Sequence, residues 1–261
     1  MQRSPSLIHS SVVPNSPVVT GSWSASSWSK QRKVLTARPR PERVRPYSVF
    51  SPIHYEANYA YPLVIWLHGP QSCELELRQV MPLVSVRNYV GIAPRGPRKS
   101  SNSERRYDWA YSSDNVAEAC QRVRECIDVA RDQYHIHPRR IFLAGYEAGG
   151  TMALRVGMEL AELFAGAASF GGPVPRGCHA FQRINTAREL PLLLSVSPDE
   201  HQYSDNQVMS DLRLLHSGGF RLNLRLYPGH DDLTDCMLSD FDHWMMGLIC
   251  PVASTASSEL F

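Results

Sequence analysis

The sequence predicts an α/β fold in which helices cover both faces of a mostly parallel central sheet. Short runs of consecutive apolar residues have the length of buried strands, and amphipathic segments with helical periodicity lie between them. Glycine or proline follows most of these runs. Strands and helices that alternate in this way form βαβ units, whose ligand sites lie beyond the carboxyl ends of the strands. We therefore expect the functional residues where the strands end.

The strands are predicted from apolar runs and from alternation. The segment 62–67 is an unbroken apolar run that stops at His68, as expected of a strand covered on both faces. Leucines at positions 222, 224 and 226 alternate with polar residues, which indicates a strand with one buried face. The predicted strands are 44–50, 55–61, 62–67, 89–93, 141–144, 165–170, 190–196 and 222–226.

The helices are predicted from three- and four-residue apolar steps. The clearest runs from Val116 to Tyr134, and Ser113 or Asp114 is expected to cap it. Gly218-Gly219 is expected to end a helix over 205–216. Further helices are predicted over 74–86, over 152–160 and over 233–248, where Asp231-Asp232 is a candidate cap. The polar segment 95–111 is predicted to be a loop anchored by its aromatic residues.

Composition divides the chain into one domain and two tails. Residues 1–42 are rich in Ser and Pro, carry scattered Arg and Lys, and contain no acidic residue before Glu42. Such a segment cannot bury enough apolar surface to offset its ordering entropy, so we expect a disordered basic tail. The domain is predicted over 43–250, and a second disordered tail over 251–261.

Several classes of function are disfavoured by the same composition. A formal net charge of +2 in 261 residues gives no reason to expect a nucleic-acid partner. No apolar run approaches the roughly 18 residues of a membrane span, and no secretory signal is recognisable. The six cysteines form no Cys-x-x-Cys pair and have no metal-binding spacing, which indicates reduced thiols in a cytoplasmic protein. We expect neither a metal nor a cofactor.

The segment Gly145-Tyr146-Glu147-Ala148-Gly149 is the centre of the predicted site. It follows the strand at 141–144 and precedes an amphipathic helix. In a Gly-x-X-x-Gly turn between a strand and a helix, the small outer residues let the two elements approach, and the middle residue is held on a strained turn above the sheet. The middle residue here is Glu147.

Five short motifs carry a resemblance to a known family. They are Leu-His-Gly at 67–69, Pro-Arg-Gly at 94–96, Phe-Leu-Ala-Gly-Tyr-Glu-Ala-Gly-Gly-Thr-Met-Ala at 142–153, Phe-Ala-Gly at 164–166 and Leu-Tyr-Pro-Gly-His at 226–230. From about residue 47 to 249 the chain resembles the phospholipase/carboxylesterase branch of the α/β hydrolases, which includes the acyl-protein thioesterases. The resemblance implies the α/β-hydrolase fold, carboxylic-ester hydrolysis and a small ester-like or acyl ligand.

The resemblance also assigns roles to residues of this chain. The family's catalytic residues follow the order Ser, Asp, His. The nucleophile position is occupied by Glu147, the acid position by Asp199, with Glu200 as the near alternative, and the base position by His230. A glutamate in place of the serine removes the hydroxyl that would attack the ester.

The oxyanion hole of this family takes one N–H from the residue after the nucleophile and one from the loop after His-Gly. Ala148 supplies the first, whereas Pro70 has no N–H, so Gln71 is the candidate for the second. The substrate pocket is expected to include His68, Gly69 and Trp109.

Three interpretations of the site follow. The first is a degenerate hydrolase that binds a ligand or partner in the old active-site cleft. The second is an active hydrolase in which Glu147 is a carboxylate nucleophile, as the elbow aspartate is in haloalkane dehalogenases and epoxide hydrolases, or a general acid or base with His230. The third keeps esterase activity through another nucleophile, such as Ser169 or Ser197 near the strand ends.

Overall fold

The computed structural model describes residues 46–99, 106–176, 183–197, 203–228 and 232–251. A seven-stranded sheet runs through this part of the chain in the order β1-β3-β2-β6-β7-β8-β9. Strand β1 pairs antiparallel with β3, and every other neighbouring pair in this sheet is parallel. A separate antiparallel pair, β4 and β5, lies in the segment predicted to be a loop. The strands are β1 Tyr47–Phe50, β2 Tyr61–Leu67, β3 Val90–Pro94, β4 Arg98–Lys99, β5 Tyr107–Asp108, β6 Ile136–Tyr146, β7 Gly166–Phe170, β8 Leu192–Val196 and β9 Leu222–Leu226.

Helices cover both faces of the sheet, as predicted. Two 3₁₀ turns, Glu74–Glu76 and Ala161–Leu163, accompany them. The helices are α1 Leu77–Val84, α2 Ser113–Gln133, α3 Ala148–Glu159, α4 Ile184–Ala187, α5 Asp205–Ser217 and α6 Asp235–Ile249. Apolar residues of α2 and α3 pack on one face, and those of α1 and α6 pack on the other. The predicted α/β architecture is therefore confirmed.

The residues of β2 show why a continuous apolar run forms a central strand here. All seven are buried. Leu63 and Ile65 point to the α2/α3 side, whereas Val64 and Trp66 point to the α1/α6 side. Because side chains alternate between the two faces of a strand, a strand with helices on both sides needs apolar residues at every position.

The strand predicted over 55–61 is wrong except for its last residue. Tyr61 begins β2, and the residues before it form turns, with His54 at a φ of 59°. The rings of Tyr55 and Tyr59 pack on the ring of Tyr61, with centroids 5.2 Å and 4.7 Å away. The aromatic spacing therefore builds a cluster of rings instead of a strand.

The helix caps also differ from the prediction. Ser112 caps α2, where its Oγ accepts the Asn115 N–H at 3.5 Å. Thr234 caps α6, and its Oγ1 accepts the Met237 N–H at 3.3 Å. Each cap lies one to three residues from the candidates, because several adjacent polar residues can all accept a first-turn N–H.

Two further expectations are only partly covered by the structure. Residues 1–42 and those after Pro251 lie outside the described ranges, so the two disordered tails remain predictions. None of the described helices is both long enough and apolar enough to cross a membrane.

Candidate functional site

Glu147 lies on a strained turn between β6 and α3. Its φ of 44° and ψ of −111° fall where non-glycine residues are rarely found. Such a conformation costs on the order of 1–3 kcal/mol and persists only when its surroundings enforce it. The Glu147 N–H donates to the carbonyl of Phe170 at 2.7 Å, and the Glu147 carbonyl accepts from Thr151 at 2.9 Å. The turn is therefore fixed from both sides, and the predicted elbow is present.

Two glycines let the start of α3 approach the sheet. A Cβ on Gly149 would lie 2.2 Å from the carbonyl oxygen of Leu67 and 2.4 Å from that of His68. A Cβ on Gly145 would lie 2.5 Å from the backbone of Gly149. The elbow thus depends on backbone-to-backbone packing for which only glycine has room.

Tyr111 lies against the beginning of α3. Its ring is 44% exposed, yet its hydroxyl donates to the carbonyl of Ala148 at 3.3 Å. Burial of the hydroxyl and the negative charge of Glu147 raise the pKa of Tyr111, and the hydroxyl of Thr151 opposes this shift. The charge of the Glu147 carboxylate therefore acts on the hydroxyl of Tyr111.

The ring of His68 is buried beneath the loop that follows β2. Its Nδ1 lies 2.8 Å from the carbonyl oxygen of Gly69, and its Nε2 accepts the Gly96 N–H at 2.9 Å. These partners require Nδ1 to carry the proton and Nε2 to be bare. Trp109, also buried, donates its Nε1–H to the His68 carbonyl at 3.0 Å. His68 and Trp109 thus hold neighbouring loops together.

Burial lowers the pKa of His68, although the bond to Gly69 and nearby carboxylates oppose the shift. We expect the ring to stay neutral at pH 6, and the ring ¹⁵N chemical shifts to report the Nδ1–H tautomer. The unfolded chain would bind a proton at this histidine below about pH 6.5 and the folded chain would not, so its contribution makes stability fall as the pH drops through that value. A His68 ring that titrates normally near pH 6.5 would contradict the assignment.

Two amides of the loop after His68, those of Gly69 and Gln71, already donate to carboxylates. The Gly69 N–H donates to both carboxylate oxygens of Glu76 at 3.1 Å, and the same carboxylate accepts from Trp66 Nε1 at 2.8 Å. Gln71 adopts a φ of 51°, and its N–H donates to Asp108 Oδ1 at 2.6 Å. The candidate second donor of an oxyanion hole therefore faces a carboxylate.

An ion pair between a buried carboxylate and a partly exposed arginine stabilises this region. Arg95 donates from Nε and Nη2 to the carboxylate of Glu74, at 2.7 Å and 2.5 Å, and lies over the ring of Tyr107 at 4.6 Å. Burial opposes ionisation of Glu74, but the bonds from Arg95 prevail and lower its pKa. Tyr107 belongs to β5, so the pair helps to hold Asp108 beside Gln71.

Ala148 remains a candidate oxyanion donor. It is the first residue of α3, where backbone N–H groups lack partners within the helix. In the described ranges of the chain its N–H donates to no acceptor.

The two serines considered as substitute nucleophiles are engaged with the backbone. Ser169 is buried and donates to the carbonyl of Gly172 at 2.8 Å. Ser197 is buried as well, and its hydroxyl donates to the carbonyl of Tyr227 at 3.1 Å. These bonds give no support to either serine as a nucleophile.

The acid and base positions lie outside the described residues. Asp199, Glu200 and His230 fall in the gaps at 198–202 and 229–231. The strands that precede them, β8 and β9, pair in parallel up to Val196 and Leu226 and end at the same edge as β6. Among the described residues, no group of three or more His, Cys, Asp or Glu side chains could hold a metal ion.

Several important residues of the site could not be foreseen from the sequence. Glu76 and Asp108 act through contacts that depend on the loop conformation, and no motif marks them. Arg95 belongs to the Pro-Arg-Gly motif, but the motif does not indicate its bonds to Glu74. Tyr111 stood out only as one of the loop's aromatic residues, and its contact with α3 could have been suspected from that.

Known proteins resemble this chain in part of the sequence and in most of the fold. No family profile matches it. It is 31% identical over 100 residues to a probable carboxylesterase of Oryza sativa subsp. japonica, covering 36% of each chain. It is 27% identical over 96 residues to a poly(3-hydroxybutyrate) depolymerase of Ralstonia pickettii, covering 35% of this chain and 20% of that protein. The matches thus span little more than a third of these relatives at most.

Solved structures cover far more of the chain. SOBER1 of Arabidopsis thaliana superimposes with a TM-score of 0.62 at 19% identity, over 73% of this chain and 100% of that one. The carboxylesterase from Mesorhizobium loti gives 0.63 at 14% identity, over 80% and 97%. Together with the parallel sheet and the strained elbow, these likenesses show that the chain has the α/β-hydrolase fold.

Proposed function

We propose that this protein is a hydrolase-fold protein without serine-esterase activity, which binds a small ester-like or acyl ligand in the cleft above Glu147. The observation that carries the proposal is Glu147 itself, on the strained turn where the resemblance places a serine nucleophile. A carboxylate has no hydroxyl to deprotonate and is a poor nucleophile at an ester.

The state of the oxyanion hole supports the same proposal. Gln71 already donates its N–H to Asp108, and Pro70 has no N–H, so Ala148 is left as the candidate donor that has no acceptor among the described residues. Loss of one donor typically reduces turnover by about 10²–10³. A negative charge on Glu147 would also repel the oxyanion of a tetrahedral intermediate.

The remaining roles follow the family order. We propose Asp199, or Glu200 beside it, as the acid and His230 as the base of the inherited catalytic set, at the ends of the strands next to the elbow. The wall of the cleft is assigned to the loop of His68 and Gly69 with Trp109, in which the two buried rings support the backbone from below.

The location is a further part of this proposal. Five cysteines in the described part of the chain are unpaired: Cys73, Cys120, Cys126, Cys236 and Cys250. Free thiols persist in reducing compartments, which supports the cytoplasm as the site of action.

A second candidate function is catalysis by the Glu147 carboxylate. The contact of Tyr111 with the start of α3, and the effect of the Glu147 charge on its hydroxyl, favour this alternative. The strained turn would present the carboxylate to the cleft, where it could attack a carbon atom or transfer a proton with His230. In the first case the carboxylate oxygen displaces the leaving group from that carbon, which gives an ester at a saturated carbon or an anhydride at an acyl carbon. Water then attacks the carboxyl carbon of Glu147, so that the product leaves and the carboxylate is restored.

Hydrolysis of p-nitrophenyl acetate by the wild type, Glu147→Ala and Glu147→Ser separates these functions. We expect the wild type and Glu147→Ala to be no faster than buffer. Glu147→Ser should show slow turnover and react with a fluorophosphonate, provided that the inherited acid and base are in place. Glu189→Ser is the matched control, because this glutamate side chain is 74% exposed and lies on another part of the surface.

Two results would overturn the leading proposal. Turnover by the wild type that Glu147→Ala abolishes would assign catalysis to the carboxylate, and incorporation of ¹⁸O from labelled water into Glu147 would identify it as the nucleophile. Turnover that survives Glu147→Ala would indicate another nucleophile. In the absence of turnover, broadening of ethyl butyrate NMR signals by the wild type should show that the cleft still binds an ester.

A further inference from the structure

A cavity of about 380 Å³ lies between α2 and α3, in a part of the fold that the proposed function does not use. Its volume falls within the range of about 300–1,000 Å³ that is typical of small-molecule sites. Val116, Ala117, Cys120 and Arg124 line it from α2, and Arg155 and Glu159 line it from α3. The α2 residues recur at three- and four-residue steps, so they form one face of that helix.

The floor of the cavity is apolar. Val116, Cys120 and Leu160 are each less than a tenth exposed and belong to the hydrophobic core on this side of the sheet. Ala117 lies at the exposed rim, one turn from Gln121. A ligand in this cavity would therefore meet hydrocarbon below and polar groups at the edge.

Three charged side chains meet around the cavity. Arg124 comes from α2, and Arg155 and Glu159 come from α3. All three act electrostatically on the thiol of Cys120, whose pKa burial raises to about 11. The thiol thus stays protonated and serves as an apolar surface.

The two arginines have no protein partner here. In the ranges that the structure describes, neither guanidinium forms a hydrogen bond or an ion pair, whereas Arg122, on the same helix, bonds to Glu118 and to the Arg95 carbonyl. Two cations against one carboxylate leave the cavity with a net charge of +1. This balance favours a monoanion, because Glu159 would repel a second negative charge.

We propose that the cavity between α2 and α3 binds an organic monocarboxylate, with the carboxylate between Arg124 and Arg155 and the hydrocarbon part on Val116, Cys120 and Leu160. Planar guanidinium groups match carboxylates in geometry as well as charge. The site is distinct from the cleft above Glu147. Arg155 follows Glu147 by eight residues, which corresponds to about 12 Å along the axis of α3 at the rise of an α-helix.

Octanoate is a suitable probe, and isothermal titration calorimetry measures its binding. Arg124→Gln and Arg155→Gln should each weaken binding at least about tenfold, the usual scale for loss of a hydrogen bond to a charged group. Glu159→Gln should tighten binding, a change of opposite sign that general damage to the fold would not produce. Ala117→Trp, which fills the cavity from its rim, should abolish binding.

Two controls and one mapping measurement make the result specific. Arg131→Gln removes an exposed arginine of the same helix outside the cavity and should leave affinity unchanged. Octylammonium, of similar size but opposite charge, should not bind. On addition of octanoate, methyl NMR shifts should change at Val116 and Leu160.

The proposal is overturned if octanoate does not bind at millimolar concentration. It is equally overturned if the arginine variants and Ala117→Trp bind as tightly as the wild type, or if the NMR changes are confined to residues around Tyr111. The last result would place the octanoate in the elbow cleft.

Discussion

Removal of the Asp108 carboxylate is expected to raise the ester turnover of a Glu147→Ser protein by up to about 10²-fold. In the structure this carboxylate accepts the Gln71 N–H at 2.6 Å, so the amide is held by an anion. A substrate oxyanion would have to displace that anion and would be repelled by it. The Glu147→Ser/Asp108→Ala double variant should therefore exceed Glu147→Ser in turnover of p-nitrophenyl acetate.

Asp108→Asn in the Glu147→Ser protein separates the effect of the negative charge at position 108 from the effect of the hydrogen bond that occupies the Gln71 N–H. Its side-chain oxygen can still accept the Gln71 N–H, but it carries no negative charge. We expect an intermediate rate if repulsion and occupancy both matter. A double variant with alanine that is no faster than Glu147→Ser would show that the Gln71 amide plays no part in stabilising the oxyanion.

Gly149→Ala is expected to destabilise the fold by about 4 kcal/mol or more, which is exceptional for a single substitution. The added Cβ would lie 2.2 Å from the Leu67 carbonyl oxygen and 2.4 Å from that of His68. Both obstacles are backbone atoms at the end of β2, so no side-chain rotation relieves them. Either α3 moves away from the sheet or the elbow loses its shape.

Gly247→Ala is the matched control, because it makes the same chemical change in another helix. A Cβ at Gly247 meets no heavy atom within 4 Å, and the residue is exposed in α6. Alanine should stabilise this helix by up to about 1 kcal/mol. Urea unfolding followed by circular dichroism measures both variants; similar stabilities for the two would contradict the close approach of α3 to β2.

The fold was predictable because its signals are local. The apolar run of β2, the periodicity of α2 and the glycines of the elbow each lie within one stretch of sequence. The strand prediction over 55–61 was wrong for a physical reason. The tyrosines have strand propensity and strand spacing, but their rings pack against one another in a cluster. Propensity alone does not distinguish these outcomes.

At the site, the sequence indicates the elbow but not the contacts that hold the loop after β2. Gln71 and Asp108 are 37 residues apart, and their contact depends on a positive φ at Gln71 and on the pairing of β4 with β5. Glu76 is close to Gly69 in sequence, yet nothing in its surroundings marks it as the acceptor for that loop. Such contacts follow from the path of the backbone, which a linear pattern of residue types does not specify.

The strain at position 147 resides in the backbone and not in the chemistry of its side chain. Serine, glutamate and alanine all carry a Cβ, so each has a similar steric strain at a φ of 44°. The backbone strain is therefore the same whichever of these residues occupies the elbow. This contribution to stability does not distinguish a descendant that turns over a substrate from one that does not.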